Sequence, residues 1–262
     1  MSEKILFSGD DFYFHQVENR VGSSNKTHYH NRIEVYYMAD GACNYFIGAK
    51  SYKVQKGDVV LIPEGVIHRT NYLSKTHSRW LINCSMACVP DSVRDKIDKM
   101  PNLFRDEKVV GKVREIMKNI ADEYAKSDAY REDALRHLTG ELFILLARNS
   151  GETNASQGTP FIEKTVRYIQ ENYSSEITLS DMAKNCSVSP EHLSRTFKKE
   201  TGFGFSEYLT LVRLKRAEDM LKNEPGKSVN EVAFSCGFND SNYFSYKFKN
   251  AYGKAPTQAK KR

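Results

Sequence analysis

The sequence predicts an α+β chain with a strand-rich N-terminal half, a pair of amphipathic helices and an all-helical C-terminal domain. Three observations predict it. Short β-branched and aromatic runs, separated by turn residues, fill residues 1 to about 90. Between Asp106 and Asn149 the apolar residues instead recur at spacings of three and four. Beyond Pro160, two stretches about fifty residues apart carry nearly the same pattern, and such a repeat dictates architecture.

The strands come first. Ile33-Glu-Val-Tyr-Tyr-Met38 runs into the turn Ala39-Asp-Gly41, and Cys43-Asn-Tyr-Phe-Ile-Gly48 follows. Ser51-Tyr-Lys-Val54, the turn Gln55-Lys-Gly-Asp58 and Val59-Val-Leu-Ile62 come next. Pro63-Glu-Gly65 then interrupts the chain before Val66-Ile-His68. Strands this short and this closely spaced build a sandwich or a barrel.

Two amphipathic helices follow. Val109, Val113, Ile116, Met117 and Ile120 form one stripe, and Leu135, Leu138, Leu142, Leu145 and Leu146 form another, with a break near Ser127-Asp128. Asn149 to Thr159 holds no large apolar residue and reads as a linker. The chain therefore divides into a strand domain at 1–105, a helical segment at 106–148, a linker at 149–159 and a helical domain at 160–262.

In the repeat, Ala183 and Cys186 align with Ala233 and Cys236. After one inserted residue, Leu193, Ser194, Phe197, Lys198 and Gly202 align with Phe244, Ser245, Phe248, Lys249 and Gly253. Each copy reads as short helix, tight turn and longer helix, the arrangement that places a recognition helix in the DNA major groove. Ser189-Pro190 supplies an N-cap and a first-turn proline to the first recognition helix. Leu193, Thr196 and Phe197 are expected inward, as are Phe244, Lys247 and Phe248 in the second copy. Opposite them fall Glu191, Ser194, Arg195 and Lys198, matched by Asn242, Ser245, Tyr246 and Lys249. Arg195 suits a guanine edge and Asn242 an adenine edge, whereas Lys198, Lys199 and Lys249 suit phosphates. Between the copies, Phe205 to Leu221 reads as a long helix with Tyr208, Leu209, Val212, Leu214, Ala217, Met220 and Leu221 available for burial. A connector of that length can hold two recognition helices about 34 Å apart, one turn of DNA.

Charge agrees with this reading. From Pro160 onward there are 17 Lys and Arg against 12 Asp and Glu, so nearly all of the net charge of +6 lies on the repeat. The five cysteines at 43, 84, 88, 186 and 236 lack framework spacing. Cys186 and Cys236 read as small core residues, and Cys84 and Cys88 as buried thiols in preference to a metal or redox pair. No export signal and no apolar run of membrane-spanning length is seen, which sets a cytoplasmic expectation with no membrane partner.

Residues 160 to 262 resemble the DNA-binding domain of the AraC-type transcriptional regulators, the arabinose-operon regulator family. The resemblance is carried by Phe197-Lys-Lys-Glu-Thr-Gly202, by Arg213-Leu-Lys-Arg-Ala217, by Val232-Ala-Phe-Ser-Cys-Gly-Phe-Asn-Asp-Ser-Asn-Tyr-Phe-Ser245 and by Phe248-Lys-Asn-Ala-Tyr-Gly-Lys-Ala-Pro256. After Pro256 the family usually has an aromatic residue and then Arg; Ala259 and Lys260 stand here instead. Tyr246 replaces a frequent Arg. The resemblance implies double-stranded promoter DNA as partner and a homodimer formed through the helices of 106–148. For an activator, commoner in the family than a repressor, it also implies RNA polymerase.

Upstream, His28-Tyr-His-Asn-Arg-Ile-Glu34 with Gly41, and Gly57 with Pro63, Gly65 and His68, resemble the two signature motifs of the cupins, which are jelly-roll barrels. The resemblance implies a small-molecule pocket with His28, His30, Glu34, Tyr36, His68 and Trp80 as candidate lining, together with Tyr45 and Arg79. Trp80 and Arg79 would stack on and hydrogen-bond a sugar-like effector. No cofactor is required by this reading. The alternative is a divalent transition metal on His28, His30, Glu34 and His68, making the barrel a metal sensor or a metal-binding cupin enzyme fused to a DNA-binding domain. A purely architectural DNA-binding protein, indifferent to small molecules, is a third reading.

Overall fold

The computed structural model describes residues 12–21, 32–151 and 158–260. The chain separates into two compact units, Met1–Gln157 and Gly158–Arg262.

In the first unit the strands are β1 (Phe12–Val21), β2 (Ile33–Asp40), β3 (Ala42–Ile47), β4 (Lys50–Gln55), β5 (Val59–Ile62), β6 (His68–Tyr72), β7 (Thr76–Cys84) and β8 (Leu103–Phe104). They form a five-stranded sheet in the order β1-β7-β2-β5-β8 and a three-stranded sheet in the order β4-β3-β6. All the strand pairings are antiparallel. The helices of this unit are α1 (Asp91–Arg94), α2 (Glu107–Tyr124) and α3 (Arg131–Arg148).

Because side chains alternate across a strand, the larger sheet serves two separate cores. Phe12, Phe14, Val35, Tyr37, Val59, Leu61 and Ile82 share one cluster with Val109, Val113, Ile116, Met117 and Ile120 of α2 and with Leu135, Leu142, Phe143 and Leu146 of α3. Tyr36, Met38, Val60, Ile62 and Leu81 on the opposite face meet Cys43, Tyr45, Ile47, Tyr52 and Val54 of the smaller sheet. Most of the apolar stripes of α2 and α3 pack against the chain's own sheet, with Leu138 and Leu145 only half-buried.

The second unit contains α4 (Pro160–Asn172), α5 (Leu179–Asn185), α6 (Pro190–Thr201), α7 (Phe205–Asn223), α8 (Val229–Ser235), α9 (Ser241–Tyr252) and α10 (Pro256–Ala259). The repeat is visible in length and in local chemistry. α5 and α8 have seven residues each, and α6 and α9 have twelve each. Thr178 caps α5 by accepting from the Asp181 amide, and Ser228 caps α8 by accepting from the Glu231 amide. The turns close alike: Val188 N–H donates to Ala183 O at 3.0 Å, and Phe238 N–H to Ala233 O at 3.1 Å. Ser189 and Asp240 then cap the longer helices, so the inserted residue of the second copy is Asn239, inside the turn.

At 19 residues α7 rises about 28 Å, and both copies pack on it. Phe197 and Phe203 meet Tyr208 edge-on near its start. Leu214, Ala217 and Leu221 share a cluster with Val232, Ala233, Cys236, Phe238, Phe244 and Phe248 further along. Two details differ from expectation. Met220 is only half-buried, and Glu218 is buried instead, with Lys222 at 2.7 Å from its carboxylate. Ala259 is buried in the second cluster despite replacing a larger residue.

One clamp ties α7 to α4. Arg213 donates from Nε to Tyr173 O at 2.7 Å and from Nη2 to Ser175 O at 2.8 Å, satisfying carbonyls at the end of α4. Gly237, at φ 83°, is pressed against this clamp: a Cβ there would lie 2.8 Å from Ser174 O and 2.9 Å from Tyr173 O. At Gly253 φ is 71°, but a Cβ would meet nothing within 4 Å. Gly253→Ala is therefore expected to cost only the left-handed backbone penalty, roughly 1 kcal/mol. Gly237→Ala adds displacement of α4 and is expected to cost about 2–3 kcal/mol or more. Urea unfolding of both variants checks this, and equal losses would refute the close-approach argument.

Candidate functional site

The recognition faces are built by the helix period alone. In α6, Leu193 and Phe197 are buried, Thr196 is half-buried, and Glu191, Arg195 and Lys198 are exposed, with Ser194 intermediate. In α9, Phe244 and Phe248 are buried and Lys247 is half-buried. Asn242, Tyr246 and Lys249 are exposed, with Ser245 intermediate. The two faces thus match position by position in exposure while differing in chemistry. At the first, the Glu191 carboxyl is held below its ordinary range by its own backbone amide, by the Ser189 hydroxyl and by Arg195. It stays an acceptor, suited to a cytosine amino group, beside a guanidinium suited to guanine. At the second, Tyr246 is 62 % exposed and Tyr243 is 49 % exposed, large values for aromatic rings in a folded chain. Lys247 Nζ lies 5.3 Å from the Tyr243 ring centre. Tyr243 and its counterpart His192 were not singled out in the sequence, although both sit exposed in the first turn beside Asn242 and Glu191.

The second constellation lies between the sheets of the first unit. Glu34, Tyr36, Tyr45 and His68 come together there. The Tyr45 hydroxyl donates to Glu34 Oε1 at 2.6 Å, and His68 Nε2 stands 3.8 Å from Glu34 Oε2. His68 Nδ1 is 2.7 Å from Val66 O; a carbonyl only accepts, so that nitrogen carries the proton. Tyr36 and Tyr45 meet edge-on at 5.4 Å, and burial pushes both phenols well above their ordinary range, so they remain neutral donors. His28 and His30 lie outside the described residues. Among the described residues no three His, Cys, Asp or Glu side chains group to hold a metal. Glu34 and His68 are the two donors of the expected set that the structure does bring together.

Trp80 is not in this constellation. It lies on β7 opposite Tyr37 of β2, with ring centres 5.4 Å apart, and packs with the helical layer. One residue earlier the strand points the other way. Arg79 is buried on the inner face, its guanidinium carbon 5.9 Å from the Tyr36 ring centre. His77 joins it there, stacked on Tyr72 at 3.6 Å. His77, Thr70 and Tyr72 were missed in the sequence; strict alternation from Arg79 and from His68 would have found them.

Two matched helix-turn-helix units on one shared helix, joined to a double-sheet N-terminal unit, define a DNA-binding regulator. Comparison with known proteins agrees. A family model described as "Helix-turn-helix domain" matches residues 182–262, and one described as "Cupin domain" matches residues 16–83. The Msm operon regulatory protein of Streptococcus mutans is 26 % identical over 87 % of this chain and 83 % of its own length. The HTH-type transcriptional activator RhaS of Klebsiella pneumoniae is 24 % identical over 87 % of this chain and 85 % of its own. Among solved structures, the C-terminal domain of AraT, a response regulator from Geobacillus stearothermophilus, is 34 % identical. It covers 40 % of this chain and 86 % of its own, with a TM-score of 0.38. The chain belongs to the AraC-type family of DNA-binding transcriptional regulators, with a cupin-type N-terminal region. These relatives are regulators, not enzymes. No helix among the described residues is long and apolar enough to cross a membrane.

Replacing Arg195 or Asn242 by Ala is expected to relax sequence preference at one base pair each, by about 1–3 kcal/mol of discrimination. Lys249→Ala is expected to weaken all duplexes alike and to reduce the slope of log affinity against log salt by about one. Binding to a library of singly substituted sites, repeated at several salt concentrations, separates the two behaviours. Unchanged preference in both Arg195→Ala and Asn242→Ala would place the reading face elsewhere.

Proposed function

We propose that this regulator responds to a small polar effector, a sugar or sugar derivative, bound between the two sheets of the N-terminal unit, and that it activates transcription as a homodimer. The observation that carries this reading is the inward set Tyr36, Tyr45, Thr70, Tyr72, His68 and Arg79. It places hydroxyl, imidazole and guanidinium groups among aromatic rings in the interior of a small barrel. Polar groups there cost free energy unless they are paired, so a barrel that served only as scaffold would carry apolar side chains. Rings with hydroxyl groups suit a polyhydroxylated ligand, which offers apolar faces and donors together.

Activation is supported by relatives named as transcriptional activators, and RNA polymerase is then the further partner. Two non-equivalent reading faces give each monomer a directional site, and a dimer doubles that site. With most of the stripes of α2 and α3 packed on the chain's own sheet, the dimer contact would use their remaining surface, half-buried Leu138 and Leu145 included. The effector can act only through different affinities for two arrangements of the protein. A metal on Glu34 and His68 would need His28 and His30 as well, and metal analysis of protein purified without chelator addresses it directly.

A thermal-shift screen of sugars and sugar derivatives, followed by operator binding with each hit, tests the reading. At a hundredfold excess over its dissociation constant, an effector is expected to stabilise the folded protein by about 2.7 kcal/mol and to change operator affinity. Operator binding unaffected by any compound that stabilises the protein would favour a purely architectural role.

A further inference from the structure

We propose that the molecule bound between the sheets carries an anionic group, a carboxylate or a phosphate, and that Arg79 is its counter-ion. The inference rests on the reading of that face as the effector site and narrows the ligand class within it.

Arg79 stands on β7 opposite Met38 of β2 and Val17 of β1, and is only 6 % exposed. A guanidinium is charged at every pH that proteins meet, and buried charges are normally paired. Among the described residues Arg79 makes no ion pair, and its Nε has no hydrogen-bond partner. The buried carboxylates nearby are engaged elsewhere. Glu34 accepts from Tyr45 and faces His68, and Asp58 is held by Arg105 at 3.0 Å. What does lie beside Arg79 is the Tyr36 ring, whose hydroxyl is 3.5 Å from that of Tyr72.

Two more inward groups share this condition. Thr70 Oγ1 and His77 Nδ1 are buried without a hydrogen-bond partner among the described residues. Burial, then Arg79 and Arg20, lowers the affinity of His77 for a proton and so disfavours a second cation here. The face therefore holds a guanidinium among hydroxyls, imidazoles and rings, with the Glu34 carboxylate near enough to act on it electrostatically but hydrogen-bonded to Tyr45 instead. A neutral sugar would satisfy the hydroxyls and leave the guanidinium without a bonded anion. A carboxylate or phosphate meets the guanidinium fork directly, with two parallel bonds in favourable geometry. The chemistry that fits the whole set is a hydroxylated acid, such as a sugar acid or a sugar phosphate.

The test uses the full-length protein with its arginine side chains labelled with ¹⁵N. The Nε–H resonance of Arg79 is assigned by its loss in Arg79→Lys. It is then titrated with formate, inorganic phosphate, galacturonate, glucose 6-phosphate and glucose, with sodium chloride as the ionic-strength control. A saturable shift with at least one of the anions and none with chloride supports the proposal. The stronger of the galacturonate and glucose 6-phosphate arms tells carboxylate from phosphate. No saturable shift with any anion, or a shift with glucose but not with its acidic counterparts, overturns it. Arg79→Met is the second readout. Removing a buried charge that lacks a bonded anion is expected to raise the melting midpoint of the unliganded protein by about 2 °C or more and to abolish the anion-dependent rise. A lowered midpoint with the anion response intact would make Arg79 a structural residue and overturn the proposal. Failure of the effector reading itself is separate: no small molecule, charged or neutral, would then change operator binding by the wild-type chain.

Discussion

The two-residue period of the central strands is the constraint on which the N-terminal unit depends. β2 and β7 lie inside the larger sheet, so each of their side chains must enter one of two closed environments. Val35, Tyr37 and Ile82 go to the helical layer, while Tyr36, Met38 and Leu81 go between the sheets. A slip of one residue would exchange the two sets, driving Arg79 into the apolar layer against α2 and α3. Register is therefore fixed by burial on both faces at once. The same constraint separates Trp80 from Arg79, neighbours in sequence that belong to different sites.

In the C-terminal unit the equivalent constraint is α7. Neither helix-turn-helix copy can bury its apolar side alone: α5 and α8 are only seven residues long. Each copy is completed by one stretch of α7, through Tyr208 for the first and through Leu214, Ala217 and Leu221 for the second. Since one continuous helix serves both, their spacing is set by covalent geometry. The Arg213 clamp extends that rigidity to α4, and Gly237 is the residue that lets the second turn approach it. Divergence is then free to accumulate on the outer faces, which explains why the buried positions repeat while Glu191 and Arg195 face Asn242 and Tyr246.

How much of this the sequence disclosed follows from where the apolar residues point. α2, α3 and the whole repeat were legible because their inward residues are apolar and their outward residues polar, so the period stands out. β2, β3, β4 and β5 were legible for similar reasons. β7 was not, because its inward residues include His77 and Arg79, and a strand with polar groups on its core side shows no hydrophobic alternation. β6, reading His-Arg-Thr-Asn-Tyr, was hidden likewise. β1 is an edge strand with an exposed far end, and its pattern fades after Val17. Two of the concealed strands, β6 and β7, carry polar groups inward, so local illegibility there coincided with part of the candidate effector face.

That coincidence bears on how a ligand would be felt at a distance. β7 presents Arg79 to the inter-sheet space and Trp80 and Ile82 to the helical layer, so one strand is common to both. β2 repeats the arrangement with Tyr36 on one side and Tyr37 on the other. A molecule that draws Arg79 or Tyr36 into new contacts pulls on backbones whose opposite faces support α2 and α3. Contiguity of this kind supplies only the route. The energy has to come from a difference in affinity between two arrangements, and a charged ligand is well placed to provide it. The attraction between an anion and a buried guanidinium varies steeply with distance in a low-dielectric interior, whereas the burial of a neutral ring varies gently. If the proposed anion binds there, a barrel that keeps a buried guanidinium without a bonded anion would distinguish small displacements of its strands, which is what a sensor coupled to a DNA-reading unit requires.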